Sequence, residues 1–433
     1  MSSPLPFRSL TLALLTCTSL ACSEASPGPG QAQNTALDAA LACAGPRFTT
    51  CDIAEPACQQ RIAEVAACQW GGPEATVVQP VVSTLSQQQY RAQLSARALR
   101  DEQALTLRSA VDASLALLGL IDGGDLSVES VAERDADGVL AYYEPATKSI
   151  TVIERASATN QREANATLLH EMIHALQDTA HDLAALHGGI THGSSDADLA
   201  LRSLLEGEAK FHDLLFSASL DGRALTPEQL RQLLTRRREA SEKVLLQGPS
   251  VLASSLQSVP YLYGPNWILQ RWLEGGSEAL QAAYEAVPTD VLGALQSSWG
   301  AEQEEAAASP YPAPNVYTSD GEPAEDAELI PLAYDRLGAY TVYTAARRAS
   351  DALVGQQLAL GWRGDQLDVY ELNAGGAAAR WHVTFDSSQQ AVSFASLLQQ
   401  NPSVSVRHEG TSVVGVVSES GNEPEWLFGP LGR

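Results

Sequence analysis

A chain of 433 residues that is 45% hydrophobic and only 6% aromatic has the composition of a soluble globular protein, and it is long enough to form two or three domains. Its formal net charge of −25 argues against nucleic acid or an anionic membrane surface as a main partner, because both are negatively charged. The acidity requires no specific ligand, since a high net charge by itself keeps a protein soluble.

The first 22 residues predict a signal peptide. Arg8 supplies a positive charge, Leu10–Leu15 form an apolar run too short to span a bilayer, and the sequence SLAC follows at 19–22. A small residue before a cysteine resembles the signal of bacterial lipoproteins, in which Cys22 would become the lipidated N-terminus, although Ser19 stands where that signal usually has Leu. We therefore predict export and a lipid anchor in the bacterial cell envelope as the sole contact with a membrane. The alternative is an ordinary cleaved signal peptide and a periplasmic or extracellular protein.

Four clustered cysteines follow, at Cys43, Cys51, Cys58 and Cys68, and the chain after Cys68 contains none. An even number of clustered cysteines in an exported protein predicts two disulfides, for which three pairings are possible. The runs on either side of the central loop have the pattern of short helices, and a nested pairing of Cys43 with Cys68 and Cys51 with Cys58 would close a helical hairpin. A zinc site made of four cysteines is the alternative, and the absence of a C-x-x-C pair argues against it.

The next elements are helices interrupted by one β-hairpin. The run Leu85–Leu118 lacks internal Pro and predicts one or two helices. Two β-prone runs within Val139–Glu154 flank a turn and predict a hairpin. Asn160, with a Glu three residues later, resembles a capping box and predicts the start of a helix that continues to about Leu186, where the sequence HGG at 187–189 ends it. Further helices are predicted at Asp196–Ser219, Pro227–Leu246, Trp267–Leu273 and Gly276–Ala286.

Residues 302–331 are acidic and contain several prolines, which predicts a linker or a surface excursion. After a helix at about Asp335–Val354, the runs LDVYEL and RWHVTF, a helix at Ser387–Gln399, and the runs VSVRH and SVVGVVS predict the order strand–strand–helix–strand–strand, a small α+β module. The predicted fold class is therefore α+β and mainly helical. The predicted divisions after the signal peptide are a Cys-rich helical hairpin with a linker at 23–75, a central domain at 76–300, and the acidic linker with the C-terminal module at 301–433.

His170, Glu171 and His174 form the pattern H-E-x-x-H in the interior of the helix that is predicted to start at Asn160. One helical turn separates the two histidines, so their Cβ atoms would lie roughly 5–6 Å apart and their imidazoles could bind one zinc ion. Glu171 would stand beside the ion as a general base. Two protein ligands do not hold zinc in such a site, so a third ligand must come from elsewhere in the chain.

A histidine close behind the motif is one candidate for the third ligand. In the metzincin pattern a Gly follows the second histidine by three residues and a His follows it by six, but Gln177 and Ala180 occupy these positions. His181 shares a helix face with His174, yet on an unbroken helix it would lie about 10 Å farther along the axis. We therefore interpret His181 as a residue of the helix surface that cannot reach the same ion.

A glutamate on the next predicted helix is the other candidate. Glu206 and Glu208 are about 200° apart around a helix, so only one of them can face the metal. The apolar side of the helix favours Glu208, whereas the small residues Ser203 and Ala209 would let the helix approach the motif closely at Glu206. From these patterns alone, both glutamates remain candidates.

The two segments together resemble the gluzincin zinc peptidases, whose aminopeptidase branch has H-E-x-x-H and then an N-E-G-x-A-like helix. The corresponding sequence here is LEGEA at 205–209, with Leu205 where the family often has Asn. The resemblance implies a zincin-like metallopeptidase core, one zinc ion per chain, and Glu206 as the third ligand. It also implies that Glu171 takes a proton from the zinc-bound water, whose pKa zinc lowers toward ~7, and passes it to the leaving amine.

The runs HALQD, DADLALRSLLEGEA, VPYLYGPNWIL and GWRGD also resemble a group of uncharacterised exported bacterial H-E-x-x-H proteins. Three supporting roles are compatible with the site. Asp178 could accept a hydrogen bond from a ligand imidazole. Tyr261 or Tyr263 could stabilise the oxyanion of the transition state, although core packing is the simpler role for either side chain. The hairpin could present one edge to an extended peptide.

The resemblance favours an exported zinc peptidase that acts on peptides or proteins. One alternative is a surface lipoprotein that binds a partner and has a structural or inactive zinc site. Another is a zinc hydrolase that cleaves a different bond, because three metal ligands and a base do not define the scissile bond.

Overall fold

A computed structural model describes residues 37–44, 48–98, 102–125, 127–154, 160–190, 194–223, 225–246, 251–301, 329–372 and 376–419. The predicted signal peptide, Cys22 and most of the predicted acidic linker lie outside the described residues. Within them, none of the helices combines the length and the apolar character needed to cross a membrane. The fold is mostly helical with small sheets, and the predicted α+β class is confirmed.

Helices predominate among the elements of the described residues. The helices with assigned bounds are α1 (Pro56–Gly71), α2 (Gln87–Ala98), α3 (Glu102–Leu117), α4 (Val128–Gly138), α5 (Gln161–His181), α6 (Leu183–Ile190), α7 (Ser195–Leu220), α8 (Pro227–Leu245), α9 (Val251–Leu256), α10 (Val259–Glu285), α11 (Leu292–Trp299), α12 (Gly338–Ala349), α13 (Ala352–Leu360) and α14 (Ser388–Leu398). The strands are β1 (Val81–Ser86), β2 (Ala141–Glu144), β3 (Ser149–Glu154), β4 (Leu329–Asp335), β5 (Trp362–Leu372), β6 (Ala377–Phe385), β7 (Ser405–Glu409) and β8 (Ser412–Ser418).

Two nested disulfides connect a short helical segment at 37–42 to α1. Cys43 is bonded to Cys68, and Cys51 is bonded to Cys58. The prediction of two disulfides is therefore confirmed, and the sulfur atoms are not available to the alternative four-cysteine zinc site. The apolar face of α1 packs against α5 in a common buried cluster. The loop between the disulfides is also hydrogen-bonded to α5, because the buried amide of Asn165 accepts from the backbone N–H of Cys51 at 3.0 Å and donates to its carbonyl at 2.7 Å.

The predicted hairpin is present as β2 and β3, which pair in antiparallel register. It belongs to a three-stranded sheet with the order β1-β3-β2, in which β1 pairs with β3 in parallel. The sequence analysis placed the start of a helical run at Leu85 and so missed the end of β1. That run instead begins at Gln87 and forms the two helices α2 and α3. Ile150 packs toward α5 and Ile153 packs on the opposite face of the sheet, as the alternation of a strand requires.

The helix that carries the H-E-x-x-H motif is shorter than predicted. Asn160 caps its N-terminus by accepting a hydrogen bond from the backbone N–H of Arg162, but the helix ends at His181 and not near Leu186. The cause is local: Asp182 adopts a left-handed conformation with φ 50°, and the side chain of Asp178 accepts a hydrogen bond from the backbone N–H of Leu183 at 3.0 Å. The predicted stop at 187–189 is wrong, because these residues belong to the new helix α6.

Two glycines bring α7 and α10 into direct backbone contact. A Cβ atom added to Gly207 would lie 2.6 Å from the carbonyl carbon of Gly264, and one added to Gly264 would lie 2.4 Å from the carbonyl oxygen of Ser203. No side chain larger than hydrogen fits at either position. Helix α10 begins at Val259, earlier than the predicted start at Trp267, and its non-helical kink at 275–276 matches the predicted break between two helices.

The C-terminal residues form a five-stranded antiparallel sheet with the order β4-β5-β6-β8-β7. The predicted order strand–strand–helix–strand–strand corresponds to β5, β6, α14, β7 and β8. The edge strand β4 was not predicted, and the predicted helix at Asp335–Val354 is divided into α12 and α13 because Asp351 caps a new helix. The main buried cluster includes residues on both sides of the predicted boundary at 300, for example Leu204 and Trp381.

One buried histidine predicts a pH dependence of stability. His212 on α7 is 2% exposed, and burial lowers its pKa to about 3. The unfolded chain takes up a proton at His212 below about pH 6.5, whereas the folded chain does not. Stability is therefore lost as the pH falls below that value, and between pH 7 and pH 5 the loss from this group is about 2 kcal/mol.

The replacement His212→Leu removes this titration. We expect the free energy of unfolding of the parent to fall between pH 7 and pH 5 by about 2 kcal/mol more than that of the variant. Urea unfolding at the two pH values, followed by circular dichroism, measures this difference. An equal pH dependence in the two proteins would show that His212 takes up its proton in the folded chain as readily as in the unfolded chain.

Candidate metal centre

Helix α5 carries two histidines that face α7. His170 and His174 are one turn apart, and their Nε2 atoms are 3.2 Å from each other. The planes of the two rings are nearly perpendicular, at 86°. His170 is buried and His174 is half-buried, because the neighbouring residues of α5 pack into an apolar cluster with α1 and the sheet. The helix thus directs two imidazole nitrogens toward a common point.

Glu206 on α7 reaches the same point. Its Oε2 atom is 3.0 Å from Nε2 of His170 and 3.3 Å from Nε2 of His174. These three residues form a group that could hold a metal ion, the one such group found in the part of the chain that the structure describes. Burial alone would raise the pKa of Glu206, but the imidazoles of His174 and His170 hold it well below its usual range. The carboxylate is therefore available as an anionic ligand.

The donor set fits zinc. In a tetrahedral zinc site with bonds of about 2.0–2.1 Å, neighbouring ligand atoms lie about 3.3 Å apart. The distances among the two Nε2 atoms and the Oε2 atom are 3.0, 3.2 and 3.3 Å. Two imidazoles and one carboxylate are also the donor types of catalytic zinc sites, which leave one position for water or substrate.

Glu171 lies beside the group and does not belong to it. The side chain is buried, and its charge interacts with those of His170, His174 and Glu206. It accepts a hydrogen bond from the backbone N–H of Tyr143, which is on the edge strand β2. Burial raises the pKa of Glu171, although the two imidazoles oppose the rise. A carboxylate with a raised pKa next to a metal site can exchange protons with a reacting group.

The other two candidates for the third ligand lie elsewhere. Glu208 does not belong to the donor group and is 1% exposed; its carboxylate accepts hydrogen bonds from Trp70, Gln177 and Tyr284. His181 is the last residue of α5, and its ring stacks on that of Tyr284 at 3.9 Å between centroids. The amphipathic pattern favoured Glu208 because it lies on the buried face of α7. In the structure its carboxylate takes part in a hydrogen-bond network on that face and not in the donor group.

Asp178 does not have the role that the sequence suggested. Its Oδ2 atom accepts from the hydroxyl of Tyr143 at 2.8 Å and from Nζ of Lys148 at 2.5 Å, so it connects α5 to the hairpin. The prediction that Asp178 orients a ligand imidazole is wrong. Gln177 takes this place, with Oε1 2.7 Å from Nδ1 of His174. The spacing of three residues from His174 is compatible with this role, but so is the spacing of four residues for Asp178.

The two tyrosines proposed for the transition state have different environments. Tyr261 stacks on His170, with 6.0 Å between ring centroids, and its hydroxyl is hydrogen-bonded to Glu206. Tyr261 is 40% exposed as a residue, but desolvation at its hydroxyl and the charges of Glu206 and Glu171 raise the pKa of that hydroxyl, so Tyr261 remains a donor. Tyr263 is fully buried and donates to Glu242 in another part of the core. Of the two, the structure brings Tyr261 to the metal centre.

Comparisons of the chain with models of protein families, with curated proteins and with solved structures found no match. Function is therefore inferred from the geometry and chemistry of the site itself.

Removal of the carboxylate ligand predicts loss of the metal. Glu206→Ala leaves two imidazoles, and we expect the variant to lose most of the zinc that the parent retains after dialysis against a weak chelator. The matched control is Asp198→Ala, which removes an exposed carboxylate from the same helix and should retain the parent's zinc content. Atomic absorption gives the zinc per chain. Retention of zinc by Glu206→Ala together with its loss in His181→Ala would show that the third ligand lies on α5.

Proposed function

We propose that the protein is an exported zinc-dependent peptidase in which His170, His174 and Glu206 hold the metal and Glu171 is the general base. The observation that carries the proposal is the convergence of three donor atoms at 3.0–3.3 Å next to a buried carboxylate that is not itself in the donor set. A structural zinc site needs no such base, because its ligands are complete and it transfers no proton.

Zinc, when bound, supplies a Lewis acid that activates water and polarises a carbonyl group. Glu171 performs the proton transfers: it removes a proton from the attacking water and delivers it to the leaving amine. Its pKa is raised toward neutral pH. A residue with such a pKa can act as the general base in one step and as the general acid in the next. The backbone N–H of Tyr143 holds the carboxylate in place during both transfers.

Tyr261 is proposed to stabilise the negative charge that develops on the substrate oxygen. Its hydroxyl lies at the carboxylate ligand Glu206, its ring packs on His170, and its raised pKa keeps the proton on the oxygen. A fixed donor at this point favours the transition state more than the ground state. The contact of Gly207 with Gly264 supports this position, because it sets the distance between the helices that carry Glu206 and Tyr261.

An extended peptide is the proposed substrate. β2 is an edge strand of the three-stranded sheet, and its residue Tyr143 contacts Glu171 through the backbone. A peptide that lies along the outer edge of β2 would run past the general base, and main-chain hydrogen bonds would hold it independently of its sequence. The two disulfides support export, since such bonds persist in oxidising compartments.

The role of Glu171 is tested with Glu171→Gln, which keeps the shape of the side chain and removes the base. We expect the variant to retain zinc and to hydrolyse casein at least about 100-fold more slowly than the parent. Glu163→Gln, an exposed replacement on the same helix, should keep the parent's rate. Hydrolysis by Glu171→Gln at the parent's rate would contradict the assignment. A parent that binds zinc and hydrolyses no peptide would favour the alternative of a binding lipoprotein.

The two tyrosines provide a matched pair for the stabilising donor. Tyr261→Phe should lower kcat by about 100-fold without loss of zinc, because it removes a donor used in the transition state. Tyr263→Phe should leave kcat unchanged and lower the melting temperature, because it removes a hydrogen bond to Glu242 within the core. Steady-state kinetics and thermal unfolding of both variants measure these effects. The opposite result, a loss of kcat in Tyr263→Phe alone, would remove Tyr261 from the site.

A further inference from the structure

The second nitrogen of one metal-facing histidine is held by a neutral amide. Nδ1 of His174 lies 2.7 Å from Oε1 of Gln177, which is completely buried. The other end of the amide, Nε2 of Gln177, lies 3.0 Å from the carbonyl oxygen of Leu205 and 2.9 Å from Oε2 of Glu208. The orientation of this amide decides which nitrogen of His174 carries the proton.

The surroundings of Gln177 permit only one orientation. The carbonyl oxygen of Leu205 is an acceptor at every pH, so the NH₂ group of Gln177 must face it and Oε1 must face His174. An oxygen at this point requires a proton on Nδ1 of His174. In the neutral imidazole, the form that binds a metal, the lone pair is therefore on Nε2, the atom that lies 3.3 Å from Oε2 of Glu206. The flipped amide would place the lone pair on Nδ1 and block the metal-facing nitrogen.

Glu208 supports the same orientation from a second direction. Its Oε2 atom accepts from the amide of Gln177 and from the hydroxyl of Tyr284, and its Oε1 atom accepts from the indole Nε1 of Trp70 at 3.2 Å. Because the three donors come from α5, α10 and α1, the carboxylate is fixed by three different elements. A carboxylate held in this way cannot turn away from the amide that it accepts from.

The network connects the metal centre to the disulfide-bonded part of the chain. Trp70 is two residues after Cys68, which is bonded to Cys43, and it lies in the last turn of α1. The same part of the chain is attached to α5 through Asn165 and Cys51. The disulfide-bonded residues 37–71, called the N-terminal hairpin below, therefore contact both α5 and α7. The contact with α7 is made through Glu208.

We propose that Gln177 is a positioning residue for the metal, which fixes the tautomer of His174, and that Trp70 of the disulfide-bonded helix acts on the same residue through Glu208. The proposal rests on metal binding by His170, His174 and Glu206, and it adds to that function a neutral partner of the ligand and a structural role for the N-terminal hairpin. Gln177 touches neither the metal nor the substrate. Its effect is on the affinity and geometry of the metal.

The experiment compares the zinc affinity of Gln177→Met and Trp70→Phe with that of the parent by competition with a chromophoric chelator. Gln177→Met keeps the length of the side chain and removes both ends of the amide, and we expect an affinity about 10- to 100-fold lower. Trp70→Phe keeps a ring and removes the indole N–H, and we expect a smaller loss of about 2- to 10-fold. The control Gln296→Leu removes another buried glutamine, on α11, and should bind zinc as the parent does.

The absorption spectrum of the Co²⁺-substituted proteins provides a second measurement. A merely structural role of Gln177 would lower the melting temperature of the metal-free variant and leave both the zinc affinity and the Co²⁺ spectrum unchanged, and this result would overturn the proposal. A changed Co²⁺ spectrum with lower affinity supports it. If Gln177→Met does not fold, Trp70→Phe decides: an unchanged zinc affinity there removes the role of the hairpin. A parent that binds no zinc would instead contradict the proposed function itself.

Discussion

The carboxylate of Glu206 lies within 3.3 Å of two imidazole nitrogens that belong to a different helix. Polar groups that have lost most of their contact with water are stable only when they form hydrogen bonds or ion pairs with one another. Helices α5 and α7 satisfy this requirement together, because each one supplies groups that the other lacks. The position of α7 against α5 therefore decides whether the chain has a metal centre, and α1, α10 and the three-stranded sheet all contact one or both of these helices.

The local pattern of the sequence was sufficient for the parts of the site that lie on single helices. Two local features predicted three side chains that the structure brings together. One is the spacing of His170 and His174, and the other is the likeness of the segment at 205–209 to a known third-ligand helix. The local pattern could not show whether Gln177 or Asp178 contacts the imidazole of His174, because both lie within reach of it on the same helix. The β2–β3 hairpin determines the outcome. Tyr143 and Lys148 of this hairpin bind Asp178, and Gln177 contacts the imidazole of His174.

The same distinction holds for the fold. Runs with a clear helical or alternating pattern, such as Ser195–Leu220 and the hairpin, were predicted with nearly correct bounds. The parallel pairing of β1 with β3 joins segments more than 60 residues apart, as in the pairing of Val81 with Ser149, and no local pattern contains that information. The end of α5 at His181 depends on a side chain one turn earlier, Asp178, which accepts the backbone N–H of Leu183. A long-range strand pairing and a side-chain cap therefore set boundaries that the hydrophobic pattern alone did not predict.

The contact between Gly207 and Gly264 has a consequence for motion. Most helices touch through side chains, which change rotamer on the picosecond-to-nanosecond timescale and so let the helices shift slightly against each other. Here the peptide planes of α7 and α10 meet directly, and no rotamer lies between them. The backbone positions that carry Glu206 and Tyr261 are therefore set relative to each other by direct contact of the two main chains and not by side-chain rotamers.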